Sequence, residues 1–318
     1  MRSLLLAGLR LDLRGDEASR RLAPAFARLP SPPAGVAPLD GRAIATLHLH
    51  GVSDPRRDVA WRDCAPGTYQ TSDGARMVLG DNPWHAERFT ARPTSRLDAW
   101  LRLSDLDHGD IASQPGKFAL GSWLAHRGRP LVHAAGIAWH GRGALLLGVS
   151  GRGKSTTALA CLGAGFSFLG DDLCALEASP HNDRPPTIHG IYATAKLNPD
   201  SQTWLGAADW PFLGTTSKGK RAVLLPDTAL FSPSAPLAAL VSLVPAGEGQ
   251  PGLQSLDRAD ALRMLTLAAA QGHLGPVSRG QWLRTAAAVV RQVPAVEMRL
   301  TWDRDVIATT LRGLLERA

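Results

Sequence analysis

Apolar and polar residues alternate with period two in the first hundred or so residues. The pattern is clear over Ile44–His50 and again over Leu97–Leu103, and such alternation is typical of half-buried β-strands. Thr68–Leu79 has the pattern of a hairpin closed by an Asp73-Gly74 turn. We therefore predict a β-rich N-terminal domain over residues 1–115.

The pattern changes in the rest of the chain, where helical periodicity and short apolar runs alternate. Gly143–Leu147 is an apolar run followed by Gly148, which fits a buried strand. The helices predicted by the 3.6-residue period are Phe118–His126, Thr156–Leu162, Ser255–Gln271, Trp282–Gln292 and Asp303–Arg317, and further strands are predicted at Phe166–Leu169, Leu237–Val244 and Val296–Thr301. Ser255 or Asp257 is available to cap the third of these helices. This alternation predicts an α/β domain over residues 116–318.

Composition is that of an ordinary globular protein. Apolar residues make up 44% and charged residues 20% of the sequence, which is enough apolar surface to bury a sizeable core. The chain of 318 residues is long enough for two domains. The formal charge of +7 comes from 35 basic and 28 acidic residues. No arginine run is interleaved with aromatic residues, so we expect no nucleic-acid partner.

The cysteines and the hydropathy pattern suggest a compartment. Cys64, Cys161 and Cys174 are widely spaced, which fits neither a disulfide framework nor a CxxC metal site. The apolar start is too short for a convincing signal peptide, and no window of about 20 apolar residues would span a membrane. We therefore expect a cytoplasmic protein with no membrane partner, and self-association into a homo-oligomer stays open.

A phosphate-binding motif follows the apolar run. GxxxxGK[ST] is matched between Gly148 and Ser155 with a predicted strand before it and a predicted helix after it. Glycines let successive N–H groups point at phosphate oxygens, Lys154 would neutralise the β- and γ-phosphates of ATP, and the Ser155 hydroxyl would hold Mg²⁺. The alternative is a simple glycine-rich turn. The predicted nucleotide-binding residues are Gly148, Val149, Ser150, Gly151, Arg152, Gly153, Lys154, Ser155 and Thr156.

Two adjacent carboxylates are predicted to return to this loop. The helix after it carries the chain away by roughly 15 Å at about 1.5 Å per residue, and the strand Phe166–Leu169 brings it back by roughly 13 Å at about 3.3 Å per residue. Asp171 and Asp172 then emerge beside the phosphates. One could lie near the metal while the other accepts a proton from an attacking hydroxyl, although Gly-Asp-Asp alone could be a polar turn.

These residues together resemble the catalytic core of the HPr kinase/phosphorylase family. His133 lies 21 residues before Lys154, and Asp171 and Asp172 lie 17 and 18 residues after it. The resemblance runs from about Phe118 to Lys220 and implies a P-loop kinase core of HPr-kinase type. It also implies that Asp172 is the proton acceptor from a serine hydroxyl, that His133 belongs to the same charge network and that Asp171 helps to place the metal. A histidine on a strand is otherwise often structural.

The sequence departs from this family at one position. Where HPr kinases have a magnesium-binding glutamate in a Glu-Ile-Arg-Gly segment, this chain has Thr187-Ile188-His189-Gly190. Asp171, Asp200 or water would have to complete the metal's shell, or activity would be weak. Within the group, the chain is most similar to HPr-kinase-like proteins encoded with peptide-maturation genes, some of which phosphorylate the C-terminal serine of a lasso-peptide precursor.

Basic residues after the carboxylate pair form a candidate clamp for phosphate or a substrate carboxylate. Lys196 lies in a stretch that resembles the peptide-maturation kinases, and Lys218-Gly219-Lys220-Arg221 resembles their basic loop, with a solvated turn as the alternative. The clamp candidates are Lys196, Lys218, Lys220 and Arg221.

We therefore expect an Mg²⁺- and ATP-dependent kinase that acts on a serine hydroxyl of a peptide or protein. Two other classes stay open. One is a small-molecule kinase for serine or another amino acid. The other is a regulator that binds ATP without turnover, which the missing glutamate would favour.

Overall fold

The computed structural model describes residues 2–32, 44–53, 62–65, 68–70, 76–81, 84–90, 95–178, 184–227, 230–245, 252–271 and 279–318. Within them the chain has a mixed α/β fold with three β-sheets. The α-helices in this part of the chain are α1 Glu17–Leu22, α2 Gly109–Ser113, α3 Lys117–His126, α4 Lys154–Leu162, α5 Pro199–Leu205, α6 Arg258–Gln271, α7 Arg279–Gln292 and α8 Arg304–Arg317. Short 3₁₀ turns occur at Ala23–Phe26 and Leu103–Asp105. None of the described helices has the length and apolar character needed to cross a bilayer.

The first eight described strands form one sheet. They are β1 Arg2–Leu6, β2 Leu9–Gly15, β3 Ile44–Val52, β4 Arg62–Ala65, β5 Thr68–Gln70, β6 Arg76–Asp81, β7 Trp84–Thr90 and β8 Ser95–Arg102, in the spatial order β1-β2-β3-β8-β7-β6-β5-β4. The strands predicted near Ile44 and Leu97 are present as β3 and β8. β5 and β6 pair in an antiparallel hairpin, whereas the predicted Asp73-Gly74 turn lies outside the described residues.

Alternation along the strands decides which face of this sheet is buried. Leu9, Leu11 and Leu13 of β2 are buried, while Arg10 and Arg14 lie on the opposite face. Because side chains alternate across a strand, every second residue faces the core. Helices α1 and α3 cover the leucine face.

Twelve further strands complete the described part of the chain. They are β9 Leu131–Val132, β10 Ala135–Trp139, β11 Arg142–Leu147, β12 Ser167–Gly170, β13 Cys174–Glu177, β14 Thr187–Gly190, β15 Thr194–Leu197, β16 Phe212–Thr215, β17 Arg221–Leu224, β18 Ser234–Val244, β19 Gly252–Ser255 and β20 Ala295–Arg299. The second sheet follows the order β12-β10-β11-β18-β14-β13-β9, and β20 joins it between β18 and β19. A small third sheet has the order β15-β17-β16.

Strand direction brings four strand ends to one edge of the second sheet. β10 is antiparallel to both β11 and β12, so β11 and β12 run in the same direction. β18 is parallel to β11 and to β20. The carboxyl ends of β11, β12, β18 and β20 therefore lie on the same side, where ligands bind in open α/β sheets.

Helices pack on both faces of this second sheet. α4 and α8 lie on one face, in a buried cluster that is continuous with the leucine face of the first sheet. α6 and α7 lie on the other, where Trp282 is buried. The predicted helices are present with small shifts at their ends.

One predicted helix start was wrong. Ser255 is the last residue of β19, paired with Val296, so it does not cap α6. The alternative, Asp257, is the cap, because its Oδ1 accepts a hydrogen bond of 2.8 Å from the Asp260 amide.

Candidate active site

The glycine-rich loop lies at the carboxyl end of β11 and leads directly into α4. Gly148, Gly151 and Gly153 have φ values of 144°, 88° and 88°, which other residues rarely adopt. A Cβ on Gly153 would also lie 2.8 Å from the Leu300 side chain. Backbone conformation therefore favours glycine at all three positions, and close packing also favours it at Gly153. A loop that curls to present its backbone N–H groups to a ligand needs such residues.

Lys154 is the first residue of α4 and is buried. Its Nζ donates to the carbonyl oxygens of Gly148 at 2.6 Å and Val149 at 3.3 Å. Burial lowers the pKa of Lys154, and the charges of Asp172 and Asp171 partly oppose that shift. The ammonium thus lies inside the loop and within reach of both carboxylates.

Asp171 follows the last residue of β12 and is buried. Its Oδ2 accepts a hydrogen bond of 2.9 Å from the Lys196 amide, whereas none of the described residues donates to its buried Oδ1. Burial and the neighbouring charge of Asp172 raise the pKa of Asp171, and the nearby Ser155 hydroxyl acts in the opposite direction. A buried carboxylate oxygen that accepts no hydrogen bond, together with a nearby hydroxyl, offers the oxygen ligands that a hard divalent cation prefers.

Asp172 has an unusual backbone conformation for a residue other than glycine. Its φ is 69°, and the Leu173 amide donates across it to the Asp171 carbonyl at 2.8 Å. This is the strained form of γ-turn, which costs roughly 1–3 kcal/mol and is concentrated at functional sites. The turn lets two consecutive carboxylates face different partners.

The Asp172 carboxylate contacts an imidazole and an ammonium group. Its Oδ1 lies 3.1 Å from His133 Nδ1, and its Oδ2 lies 3.0 Å from Lys196 Nζ. Although burial opposes ionisation, the His133 hydrogen bond and the Lys196 charge hold the pKa of Asp172 well below its ordinary value. Asp172 is therefore ionised at neutral pH and can accept a proton.

The network has three further members that no sequence pattern indicated, namely Asp110, Gln114 and Lys117. Lys196 Nζ also contacts Gln114 Oε1 at 2.9 Å and Asp110 Oδ1 at 3.5 Å. Lys117, at the start of α3, is in the same charge network: burial and the Lys196 charge lower its pKa, and the charges of Glu87, Asp172 and Asp110 oppose that shift. The three further members come from the segment around α2 and α3 and carry no motif.

Lysine scarcity is the signal that could have found Lys117. The chain has five lysines, Lys117, Lys154, Lys196, Lys218 and Lys220. Four of them act electrostatically on the carboxylate pair or on one another, and Lys218 is the exception. The rarity of the residue type and its convergence at one place together indicate a site.

Two of the four predicted clamp residues line the cleft beside the loop, and the other two do not. Lys196 and Lys220 line the same cleft as the loop residues Gly151, Arg152 and Gly153. Lys218 is exposed on a turn outside that lining. The Arg221 guanidinium lies 4.7 Å from the centre of the Phe212 ring.

Thr187, which stands where the family pattern has a glutamate, is the first residue of β14 and pairs with Glu177. The other end of β14 is Gly190, which pairs with Cys174, just after the carboxylate pair. Thr187 and Gly190 are three residues apart, or about 10 Å at 3.3 Å per residue. Glu177 is held by His189 at 3.0 Å and Arg129 at 2.9 Å. The hydrogen bonds from His189 and Arg129 lower its pKa to about 2, although burial acts in the opposite direction. Glu177 is therefore committed to a separate ion cluster.

The cleft beside the loop has a volume of about 280 Å³, close to the lower end of the roughly 300–1,000 Å³ typical of ligand pockets. Ser155, Thr156 and Asp200 line it together, and Thr156 Oγ1 contacts Ser201 Oγ at 2.9 Å. Among the described residues that line this cleft, Asp200 is the carboxylate, whereas Asp171 and Asp172 lie outside the lining. Gly148 and Val149 line a hollow on the other side of the loop.

The chain is similar in structure to a number of solved protein chains. One of them, the Hpr(Ser) kinase/phosphatase from Coxiella burnetii, aligns with a TM-score of 0.32 at 10% sequence identity, covering 59% of this chain and 95% of that chain. No protein-family model and no curated protein matches the sequence. Function is therefore inferred from the contacts within this chain.

Proposed function

We propose that the chain is an ATP-dependent kinase that transfers the γ-phosphate to a serine hydroxyl of a peptide or protein. The observation that carries this proposal is the convergence of Lys154 and Ser155 with Asp171 and Asp172 at one sheet edge. Nucleotide binding alone would need only the loop. A strained turn that places an ionised carboxylate beside it adds a base for an attacking hydroxyl.

Ser155 and Asp171 would hold Mg²⁺, with Asp200 as a further candidate ligand from the same cleft. The buried, donor-free Oδ1 of Asp171 supports this assignment, because such an oxygen is costly without a partner. When bound, the cation would neutralise charge on the phosphates. The substitution at Thr187 leaves this set intact, because Ser155, Asp171 and Asp200 all lie outside β14.

The transfer step assigns one role to each remaining residue. Asp172 accepts the hydroxyl proton as that oxygen forms its bond to the γ-phosphorus. The bond from this phosphorus to the β–γ bridging oxygen breaks, and ADP leaves with the electron pair. Lys154 stabilises the charge on the phosphoryl group, and His133 and Lys196 orient Asp172.

The acceptor is proposed from the charges around Asp172. Lys196 contacts the base at 3.0 Å, and the charges of Lys117 and Asp172 act on each other. The carboxylate of a C-terminal serine would be stabilised by such cations. This supports a C-terminal serine on a peptide over an internal serine. A free amino acid has the same carboxylate, so the small-molecule kinase is the alternative that the experiment must separate.

Mass spectrometry of phosphate transfer from Mg·ATP tests the proposal. The acceptors are a peptide library ending in serine, the same library amidated at its C-terminus, a library ending in alanine, and free serine. We expect a gain of about 80 Da on the serine library, much less on the amidated one and none on the alanine one. Transfer to free serine alone would favour the small-molecule kinase. ATP binding without transfer to any acceptor would favour a regulator without turnover.

A further inference from the structure

Two tryptophans lie at the outer end of the loop cleft. Trp204 of α5 and Trp302, just after β20, line the same cleft as Gly151, Gly153 and Ser155. Their ring centres are 6.5 Å apart and the rings are nearly perpendicular, at 85°. One cavity therefore connects the phosphate-binding candidates to an aromatic pair.

Trp302 is unusually exposed. Its relative exposure is 78%, the highest among the large hydrophobic residues of the described chain. An indole ring normally buries most of its surface, because exposure to water forfeits its large hydrophobic gain. The edge-to-face contact with Trp204 leaves most of the Trp302 ring surface in contact with solvent and able to receive a planar ligand.

The backbone that follows Trp302 and the Trp204 ring are both held by neighbouring residues. Asp303 caps α8, with Oδ1 accepting from the amides of Asp305 at 2.9 Å and Val306 at 3.2 Å. The Arg304 guanidinium lies 5.5 Å from the centre of the Trp204 ring, a cation–π distance. The cap holds the backbone that follows Trp302, and Arg304 holds the partner ring.

We propose that Trp302, supported by Trp204, is the stacking platform for the nucleobase of the nucleotide. This inference rests on the proposed function, because it assumes that the triphosphate lies against the loop between Gly148 and Ser155. Bases stack on aromatic rings through π-faces that all bases share, so the platform recognises a nucleotide without choosing strongly among bases. Phosphate binding and base binding are thereby assigned to opposite ends of one cleft.

Calorimetric titration with two ligands separates the two ends. Mg·ATP carries the base, whereas Mg·tripolyphosphate has the phosphates without base or ribose. The proteins are the wild type, Trp302→Ala, Trp302→Phe, which keeps an aromatic ring, and Trp204→Ala. Circular dichroism of each variant checks that it is folded.

We expect Trp302→Ala to weaken Mg·ATP binding by roughly 5- to 150-fold, the range typical of one base stacked on one aromatic ring. Tripolyphosphate binding should stay unchanged, and Trp302→Phe should recover most of the ATP affinity. Equal losses for both ligands, or no loss for either, would overturn the platform while leaving the phosphate site intact. Failure of the wild type to bind either ligand would instead overturn the proposed function and the platform with it.

Discussion

Asp171 and Asp172 are neighbours in sequence, yet the fold shifts their pKa values in opposite directions. Burial and the charge of its neighbour raise the pKa of Asp171. The His133 hydrogen bond and the Lys196 charge lower that of Asp172 against the effect of burial. Because the γ-turn at Asp172 separates the two side chains, the pair fits the proposed roles of metal ligand for Asp171 and proton acceptor for Asp172.

Replacing Asp171 by asparagine should raise stability and weaken metal-dependent binding together. A carboxyl whose pKa is raised on folding destabilises the ionised protein: stability falls as pH rises above the ordinary pKa of the carboxyl, and the loss is complete above the raised value. We therefore expect Asp171→Asn to melt at a higher temperature than the wild type in EDTA near pH 7. We also expect the variant to gain less from added Mg·ATP, which thermal melts with and without the ligand measure.

The matched control for this experiment is the exposed carboxylate Asp209. Asp209→Asn should change neither the melting temperature in EDTA nor the gain from Mg·ATP. If Asp171→Asn melted lower in EDTA and kept its full gain from the ligand, Asp171 would be a structural residue and not a metal ligand.

At the scale of elements, the loop and the helix after it were predictable because the motif and the strand pattern agree. The helix predicted as Asp303–Arg317 is also present as α8, Arg304–Arg317, because a strong 3.6-residue period and an N-terminal aspartate mark it. The short strands β13 and β14 were not predicted. Each has four residues and contains a polar residue, Glu177 or His189, that is committed to an ion pair, so no period of two is visible.

The site was predictable only where it is local in sequence. Lys154, Ser155 and the carboxylate pair lie within 18 residues of one another around one strand-loop-helix-strand unit. Gln114 and Lys117 lie more than 50 residues before Asp172 and reach it only through the packing of the α2–α3 segment. No pattern along the chain encodes such a contact, because it depends on tertiary structure.

The glycine-rich loop carries a prediction about its backbone. Gly153→Ala places a side chain at φ 88° and against Leu300, which lines the cleft. We expect stability to fall by about 1–2 kcal/mol and Mg·ATP affinity to fall at least about tenfold, or roughly 1.4 kcal/mol. Chemical denaturation and calorimetry measure the two effects.

Gly141 is the matched control for the backbone effect. Its φ is 80° and nothing lies within 4 Å of an added Cβ, so Gly141→Ala should lose similar stability and keep full ATP affinity. Equal ATP affinity in Gly153→Ala and the wild type would show that the loop conformation is not needed for the nucleotide.

At the scale of the whole molecule, the segment that contains Tyr192 and Thr194 is one of those that connect the two large sheets. Tyr192 packs against Phe26 at 5.3 Å between ring centres, and its hydroxyl donates to the Pro115 carbonyl at 3.0 Å. Thr194 Oγ1 donates to the Ser113 carbonyl at 2.7 Å. The boundary proposed near residue 115 is therefore crossed by packing and by hydrogen bonds.

This connection predicts that the chain unfolds in one cooperative transition. Leu47 of β3 and Leu146 of β11 are fully buried in the same hydrophobic cluster, although they belong to different sheets. Truncation to alanine should cost about 2–5 kcal/mol at each position. Denaturant titration followed by circular dichroism should show both variants shifting the same single transition. Two transitions, each shifted by only one of the variants, would mean that the sheets fold independently.

The measurement that tests the central claim most directly is the single-turnover phosphotransfer rate of Asp172→Asn, alongside its affinity for Mg·ATP. Asparagine tolerates positive φ and keeps the size of the side chain, so the turn should persist while the base is lost. We predict a rate at least about 100-fold below that of the wild type, a loss typical of a general base, with ATP affinity changed by less than about threefold. An unchanged rate would contradict the account, because Asp172 would then be a structural partner of His133 and Lys196 and not the proton acceptor.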